Sequence, residues 1–136
     1  MDGKFLQVNV TTPQKTWVFD EVSSVSAPGV MGGFQVLINH APMIAQLEIG
    51  EIKISSPEKI QLYATSGGFL EILNDKVSLL LESCEQADKI DIERARAAAE
   101  RARERLRTKS EDVDIGRAEI ALARAINRIK IAGKIA

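Results

Sequence analysis

All nine arginines of the 136-residue chain lie between Arg94 and Arg128, and six of them fall inside KIDIERARAAAERARERLRT, Lys89 to Thr108. A guanidinium stays charged at physiological pH and presents a planar fork of donors that matches phosphate or carboxylate oxygens. Placed at about 100° per residue on a helix, Arg94, Arg101 and Arg105 form one row and Arg96, Arg103 and Arg107 a second. Glu93, Glu100 and Glu104 lie three or four residues from the second row and offset its charge. Arg117, Arg124 and Arg128 make a single row on another helix. If the two helices close on each other, the Arg94 row and the Arg124 row converge on one edge and call for an anion. The competing reading is a solvated, salt-bridged surface, which is the ordinary fate of a charge run.

Other chemistry finds little to build on. His40 is the only histidine, so a pH switch or metal ligand would lack partners, and a structural or interface role fits it better. Cys84 is the only cysteine; it allows no internal disulfide, fits a reducing compartment, and has no nearby histidine to make it a nucleophile. Gly67 and Gly68 form neither a P-loop nor a dinucleotide fingerprint and read as turn or bulge positions. No metal-ligand spacing and no acid and base pair can be assembled, which leaves a small hydrolase almost without support.

The arginines must be carried by helices, and the repeat supplies them. Ile92, Ala95, Ala99, Ala102 and Leu106 recur at steps of three and four, as do Ile115, Ala118, Leu122, Ala125, Ile129 and Ala132. Asp91 and Asp114 stand where N-caps belong, Gly133 where a helix ends, and Thr108 to Val113 forms a polar loop. The alanine seam lets the two axes approach closely and antiparallel, but each methyl buries little area, so a hairpin able to open is physically reasonable.

Before Glu85 the pattern is different. Short alternating or β-branched runs separated by turn signals predict eight strands: Phe5 to Val10, Trp17 to Phe19, Glu21 to Ala27, Gln35 to Ile38, Gly50 to Ser55, Ile60 to Thr65, Gly68 to Leu73 and Lys76 to Glu82. Eight short strands make a sandwich or barrel, and Asn74-Asp75 marks a tight hairpin within it. All six aromatic residues and all four prolines sit in this part. Met1 to Lys89 carries six Lys against eleven Asp/Glu, whereas Ile90 to Ala136 carries twelve Lys/Arg against eight. The expected division is a β domain at 1–86 and a helical domain at 87–136. No apolar run approaches the roughly 20 residues needed to span a bilayer, and the start lacks a secretory signal.

Taken together, NHAPMIAQL, SGGFLEILNDKVSLLLES, IDIERA and DIGRAEIALARAINRI, in this order and spacing, resemble the epsilon subunit of the bacterial and chloroplast F-type ATP synthase, equivalent to the mitochondrial delta subunit. The resemblance spans essentially the whole chain. It implies an α+β fold, an N-terminal antiparallel β-sandwich followed by a C-terminal antiparallel two-helix hairpin. It also implies a non-catalytic rotor subunit whose sandwich binds the gamma subunit and the c-subunit ring, and whose helices block ATP hydrolysis when extended into the alpha/beta catalytic assembly. Such a subunit is peripheral, on the cytoplasmic face of the energy-transducing membrane, and touches the membrane only through the complex.

No cofactor is required, and ATP is implied as a regulatory ligand of the folded hairpin. Ile90, Asp91, Arg94 and Ala95 match the I/L-D-x-x-R-A motif of nucleotide-binding members, while Glu85, Arg101, Arg124 and Arg128 stand at their other nucleotide-contacting positions. The same arginines could instead meet acidic residues of the catalytic beta subunit. Where many members read GILPGHAP, this chain has QVLINHAP, and Asn39 can take the left-handed turn geometry in place of glycine. Met31, Phe34, Ile38, His40 and Met43 are the candidate subunit contacts, though Met31, Phe34, Ile38 and Met43 could equally complete the sandwich core. A stand-alone nucleic-acid module using the basic hairpin is the alternative function. Against it stand the acidic first part, the eight acidic residues among the basic ones and the absence of aromatics between the arginines.

Overall fold

The computed structural model describes residues 4–108 and 114–135, and the chain divides into two compact units, Met1–Gln86 and Ala87–Ala136. The first contains ten strands: β1 Leu6–Thr11, β2 Thr16–Val22, β3 Ser24–Ala27, β4 Phe34–Val36, β5 Met43–Leu47, β6 Gly50–Ser55, β7 Ile60–Thr65, β8 Gly68–Leu73, β9 Lys76–Leu81 and β10 Cys84–Gln86. They form two five-stranded sheets, ordered β2-β1-β9-β8-β5 and β10-β7-β6-β3-β4. Alternation explains the sandwich: Leu6, Val8 and Val10 of β1, Leu70 and Ile72 of β8, and Val77 and Leu79 of β9 all point inward. They share one core with Val25, Val36, Ile52, Ile54 and Tyr63 of the other sheet.

Three details depart from expectation. Glu21 to Ala27 is two strands rather than one: Glu21 takes a left-handed φ of 58°, β2 ends at Val22, and β3 joins the opposite sheet. A register slip between Leu6 and Val8 marks a bulge at the same corner, the usual device for bending a strand out of its sheet. Met43–Leu47 and Cys84–Gln86 are strands that the alternation did not announce, being short and rich in Ala, Met, Gln and Glu, with weak β preference. Finally, β1 and β9 run parallel, Val8 beside Val77 and Val10 beside Leu79; every other strand pair in the two sheets is antiparallel. A parallel pair needs a long crossover rather than a hairpin, and the intervening strands supply it.

The Asn74-Asp75 hairpin forms as expected. Both residues are left-handed, with φ of 50° and 60°, the geometry that matches the twist of the flanking strands. The Asp75 carboxylate also accepts the Asn39 N–H at 2.7 Å, and Asn39 itself has a φ of 64°. At the other end of β8, Gly68 has a φ of 149°, and a Cβ there would collide with the Leu80 carbonyl and Leu81 Cα. Only glycine lets β8 approach β9 at that point.

The second unit is a 3₁₀ turn, Ala87–Lys89, followed by α1 Ile92–Thr108 and α2 Ile115–Gly133. Residues 109–113 of the expected loop lie outside the described residues. The alanine seam is real: Ala95, Ala99 and Ala102 of α1 and Ala118, Ala125 and Ala132 of α2 are buried. Ile92, Leu106, Leu122 and Ile129 are half-buried at its margins. Two positions differ: Ile115 at the start of α2 is exposed, and Ile131, off the expected stripe, is buried. Gly133 is the last residue of α2, but its φ is not positive; Lys134 caps in right-handed geometry, its N–H reaching the Ala132 and Ile131 carbonyls.

Candidate anion site on the helical hairpin

Each helix begins where its aspartate begins it. The Asp91 carboxylate accepts the Arg94 N–H at 3.0 Å and its carbonyl accepts the Ala95 N–H. The Asp114 carboxylate likewise accepts the Arg117 N–H at 3.1 Å, and its carbonyl the Ala118 N–H. The two cap sites are thus built alike, an aspartate followed at the third position by an arginine and at the fourth by a buried alanine. The cap fixes where each arginine row starts.

On α1 the two arginine rows have separate fates. Arg96 pairs with Glu93 at 2.9 Å, Arg103 with Glu100 at 3.6 Å, and Arg107 with both Glu100 and Glu104. This is the self-neutralised row foreseen from spacing. Arg94, Arg101 and Arg105 are exposed, and no ion pair joins any of them to a carboxylate among the described residues. On α2 Arg117 and Arg124 are exposed and Arg128 half-buried; Arg124 and Arg128 both make polar contacts within the protein.

Convergence takes place at the α1 C-terminal end. An open cavity of about 650 Å³ is lined by Arg105 from α1 and by Asp114, Arg117 and Arg124 from α2, with Ala118, Ile120 and Ala121 beside them. Of the residues assigned to nucleotide binding from sequence, only Arg124 is among these. Ile90, buried, precedes the cap, Asp91 is the cap, and Ala95 is sealed in the seam at 0% exposure. Arg94, Arg101 and Arg128 line no part of this cavity. Glu85 lies on β10 opposite Ala64, in the sandwich unit. Arg105 and Arg117, placed in their rows by periodicity, line this cavity without having been assigned to the nucleotide site; the signal that finds them is the row itself.

The candidate subunit contacts divide in the sandwich. Met31 is fully exposed and, with Phe34 and Met43, lines a second, apolar cavity of about 560 Å³ between the Gly29–Gly33 loop and β5. Phe34 and Met43 also pack partly on the core. Ile38 is exposed and His40 half-buried, both outside that cavity; the His40 Nδ1–H donates to the Ala41 carbonyl at 2.6 Å. Burial pushes the Cys84 thiol from 9.0 up to about 12, so it stays protonated and inert at neutral pH. Among the described residues no cluster of three His, Cys, Asp or Glu side chains could hold a metal, and no helix is long and apolar enough to cross a membrane.

Comparison with known proteins covers both units. Residues 5–87 match the beta-sandwich domain of the ATP synthase delta/epsilon chain, and residues 88–133 match its long alpha-helix domain. The ATP synthase epsilon chain of Desulforamulus reducens is 42% identical over 130 residues, covering 96% of this chain and 98% of that one. A chain in the OSCP/F1/c-ring assembly of the Euglena gracilis mitochondrial ATP synthase superposes with a TM-score of 0.80 at 25% identity, over 93% of this chain and 82% of that chain. A chain of the Tetrahymena thermophila mitochondrial ATP synthase central stalk/c-ring shares the fold, with a TM-score of 0.59 at 14% identity over 97% and 96% of the two chains.

Proposed function

The chain belongs to the ATP synthase delta/epsilon family, and from that premise we propose that it is the epsilon-type central-stalk subunit of a proton-translocating F-type ATP synthase. It joins the gamma subunit to the c-subunit ring through the sandwich, performs no catalysis itself, and restrains ATP hydrolysis through the hairpin when the helices engage the alpha/beta assembly. Its place is peripheral, on the cytoplasmic face of the membrane, held there by the complex. The observation that carries this reading is the family match through both units at once, strand unit and helix unit in order, with a relative 42% identical along 96% of the chain. The exposed Met31 above an apolar cavity supports a protein contact on the sandwich.

For the hairpin, ATP is the proposed regulatory ligand, contacted by Glu85, Ile90, Asp91, Arg94, Ala95, Arg101, Arg124 and Arg128, and stabilising the folded arrangement it prefers. Support comes from the exposure of Arg94 and Arg101 without ion-pair partners among the described residues. The test is reconstitution: the full chain is added to a related F1 assembly stripped of this subunit, and co-elution with gamma and the hydrolysis rate are followed. Stoichiometric co-elution with a fall in hydrolysis is expected; a chain that stays free of the complex overturns the reading. Calorimetric titration with MgATP, beside an Arg94→Ala, Arg101→Ala variant, tests the ligand separately, and absence of saturable binding up to millimolar ATP removes ATP while leaving the coupling role.

A further inference from the structure

The turn between β8 and β9 contains a residue that its geometry does not ask for. Asn74 and Asp75 both have positive φ, 50° and 60°, and the pair that forms such a turn most readily is asparagine followed by glycine, because a Cβ at the second position brings strain. Aspartate there carries a carboxylate instead, and the carboxylate is in use. It accepts the Asn39 N–H at 2.7 Å, across 36 positions of sequence, as a short bond of the charge-assisted kind. The residue is itself held by the sheet: the Asp75 carbonyl accepts the Gln7 N–H at 3.0 Å where β1 begins. One half-buried side chain thus ties the turn ahead of β5 to the framework of the first sheet.

The two sides of that turn are braced differently. Beyond it, Ala41 is restricted by Pro42 and its carbonyl takes the His40 Nδ1–H at 2.6 Å. Before it, Leu37, Ile38 and Asn39 contain no proline, Leu37 and Ile38 are exposed, and Asn39 turns the chain with a φ of 64°. We propose that Asp75 is a positioning residue for the rotor contact: its carboxylate fixes the left-handed Asn39 peptide and so sets the direction in which Ile38 and His40 are offered to a partner subunit. The inference rests on the reading of Ile38 and His40 as subunit contacts and adds the residue that aims them. The same bond keeps Leu37 and Ile38 at the end of the sandwich where β8 closes on the exposed Leu73. A contact already held in its bound direction is spared the ordering cost of association.

The test uses the full chain and a related F1 assembly that carries its c-ring and lacks this subunit, with affinity read by titration. Asp75→Gly removes the acceptor and leaves the Asn-Gly pair that the turn favours, so its melting temperature should match or exceed the parent's while its affinity falls about tenfold. Asp75→Asn keeps an acceptor oxygen and tolerance for positive φ, and should stay within about threefold of the parent. Coupling is the readout that a structural role alone would not move: in an Ile38→Ala, His40→Ala chain, itself weakened, Asp75→Gly should cost less than about twofold more, because nothing remains to be aimed. Amide exchange should quicken at Asn39 in Asp75→Gly while β8 and β9 keep the parent's rates. Parent affinity in Asp75→Gly overturns the proposal, as does an equal loss in both backgrounds, which would make Asp75 a contact or a support of the fold. A parent that binds no more tightly than the Ile38→Ala, His40→Ala chain overturns it through the choice of contacts. A parent that does not bind at all is a different failure, that of the coupling reading itself, and takes the proposal with it.

Discussion

The two units bury different side chains and so hold together by different means. In the sandwich, leucine, isoleucine and valine from both sheets fill a core in which Val8, Val25, Val36, Ile52, Leu70, Val77 and Leu79 are wholly buried. Each such side chain contributes about 1.5–3 kcal/mol of burial. In the hairpin most of the buried helix positions, Ile131 apart, are alanines, each worth about one methyl group, roughly 0.8 kcal/mol by the same scale. The exposed ion pairs along α1, with side chains 48–83% accessible, add about 0.3–0.5 kcal/mol apiece. One unit is thus a rigid platform, whereas the other consists of two good helices weakly joined, whose association a ligand or partner can shift.

The contrast breaks most plainly in the sandwich core. Leu79→Ala should cost about 2–5 kcal/mol and lower the main thermal transition by calorimetry; a cost below about 1 kcal/mol would mean the core is not the platform described. In the hairpin the informative change is enlargement. Ala99→Leu forces extra carbons into a seam built for methyl groups and should cost about 1–3 kcal/mol. Hydrogen exchange should register it in α1 and α2 while the sandwich amides stay protected, and equal loss of protection in the sandwich would mean that the strain is not confined to the seam.

Caps come next. Asp114→Ala removes the acceptor of the Arg117 N–H and should cost about 1 kcal/mol of α2 stability, seen as faster exchange confined to its first turn. Asp114→Asn should restore most of it. Smallest at neutral pH is the effect of Cys84. Its folded value, about 12, lies above the ordinary 9.0. The thiol therefore contributes stability that is fully present below pH 9 and is lost as pH rises from 9 toward 12. Chemical denaturation across that window should show a downward slope in the parent that Cys84→Ser lacks; identical slopes would mean that burial does not hold the proton.

The sequence was most legible where one local rule acts alone. Alternation located Gly68–Leu73 and Lys76–Leu81, left-handed preference located the turn between them, and the three-four repeat located both helices and the buried alanines. It was least legible where the outcome depends on distant partners. Met43–Leu47 is a strand because β8 lies beside it, not because of its own residues, and Glu21 to Ala27 splits because the two sheets claim different halves. The same limit applies to the site. Helical periodicity assigned every arginine to its row, yet which arginines meet across the hairpin depends on where along the rows the axes converge, and that brought in Arg105 and Arg117.

The parallel pairing of β1 with β9 has a consequence for how the protein is made. Val8 emerges from the ribosome early, but its neighbour Val77 follows only after most of the first unit has been synthesised. At about 5–20 residues per second, the first strand waits for seconds with its apolar face unmatched, held at best by β2. The sheet closes once Leu81 is free of the exit tunnel, and the helices, whose contacts are local and quick to form, follow later in synthesis. A nascent chain stalled before β9 is therefore the form in which chaperones have most to shield.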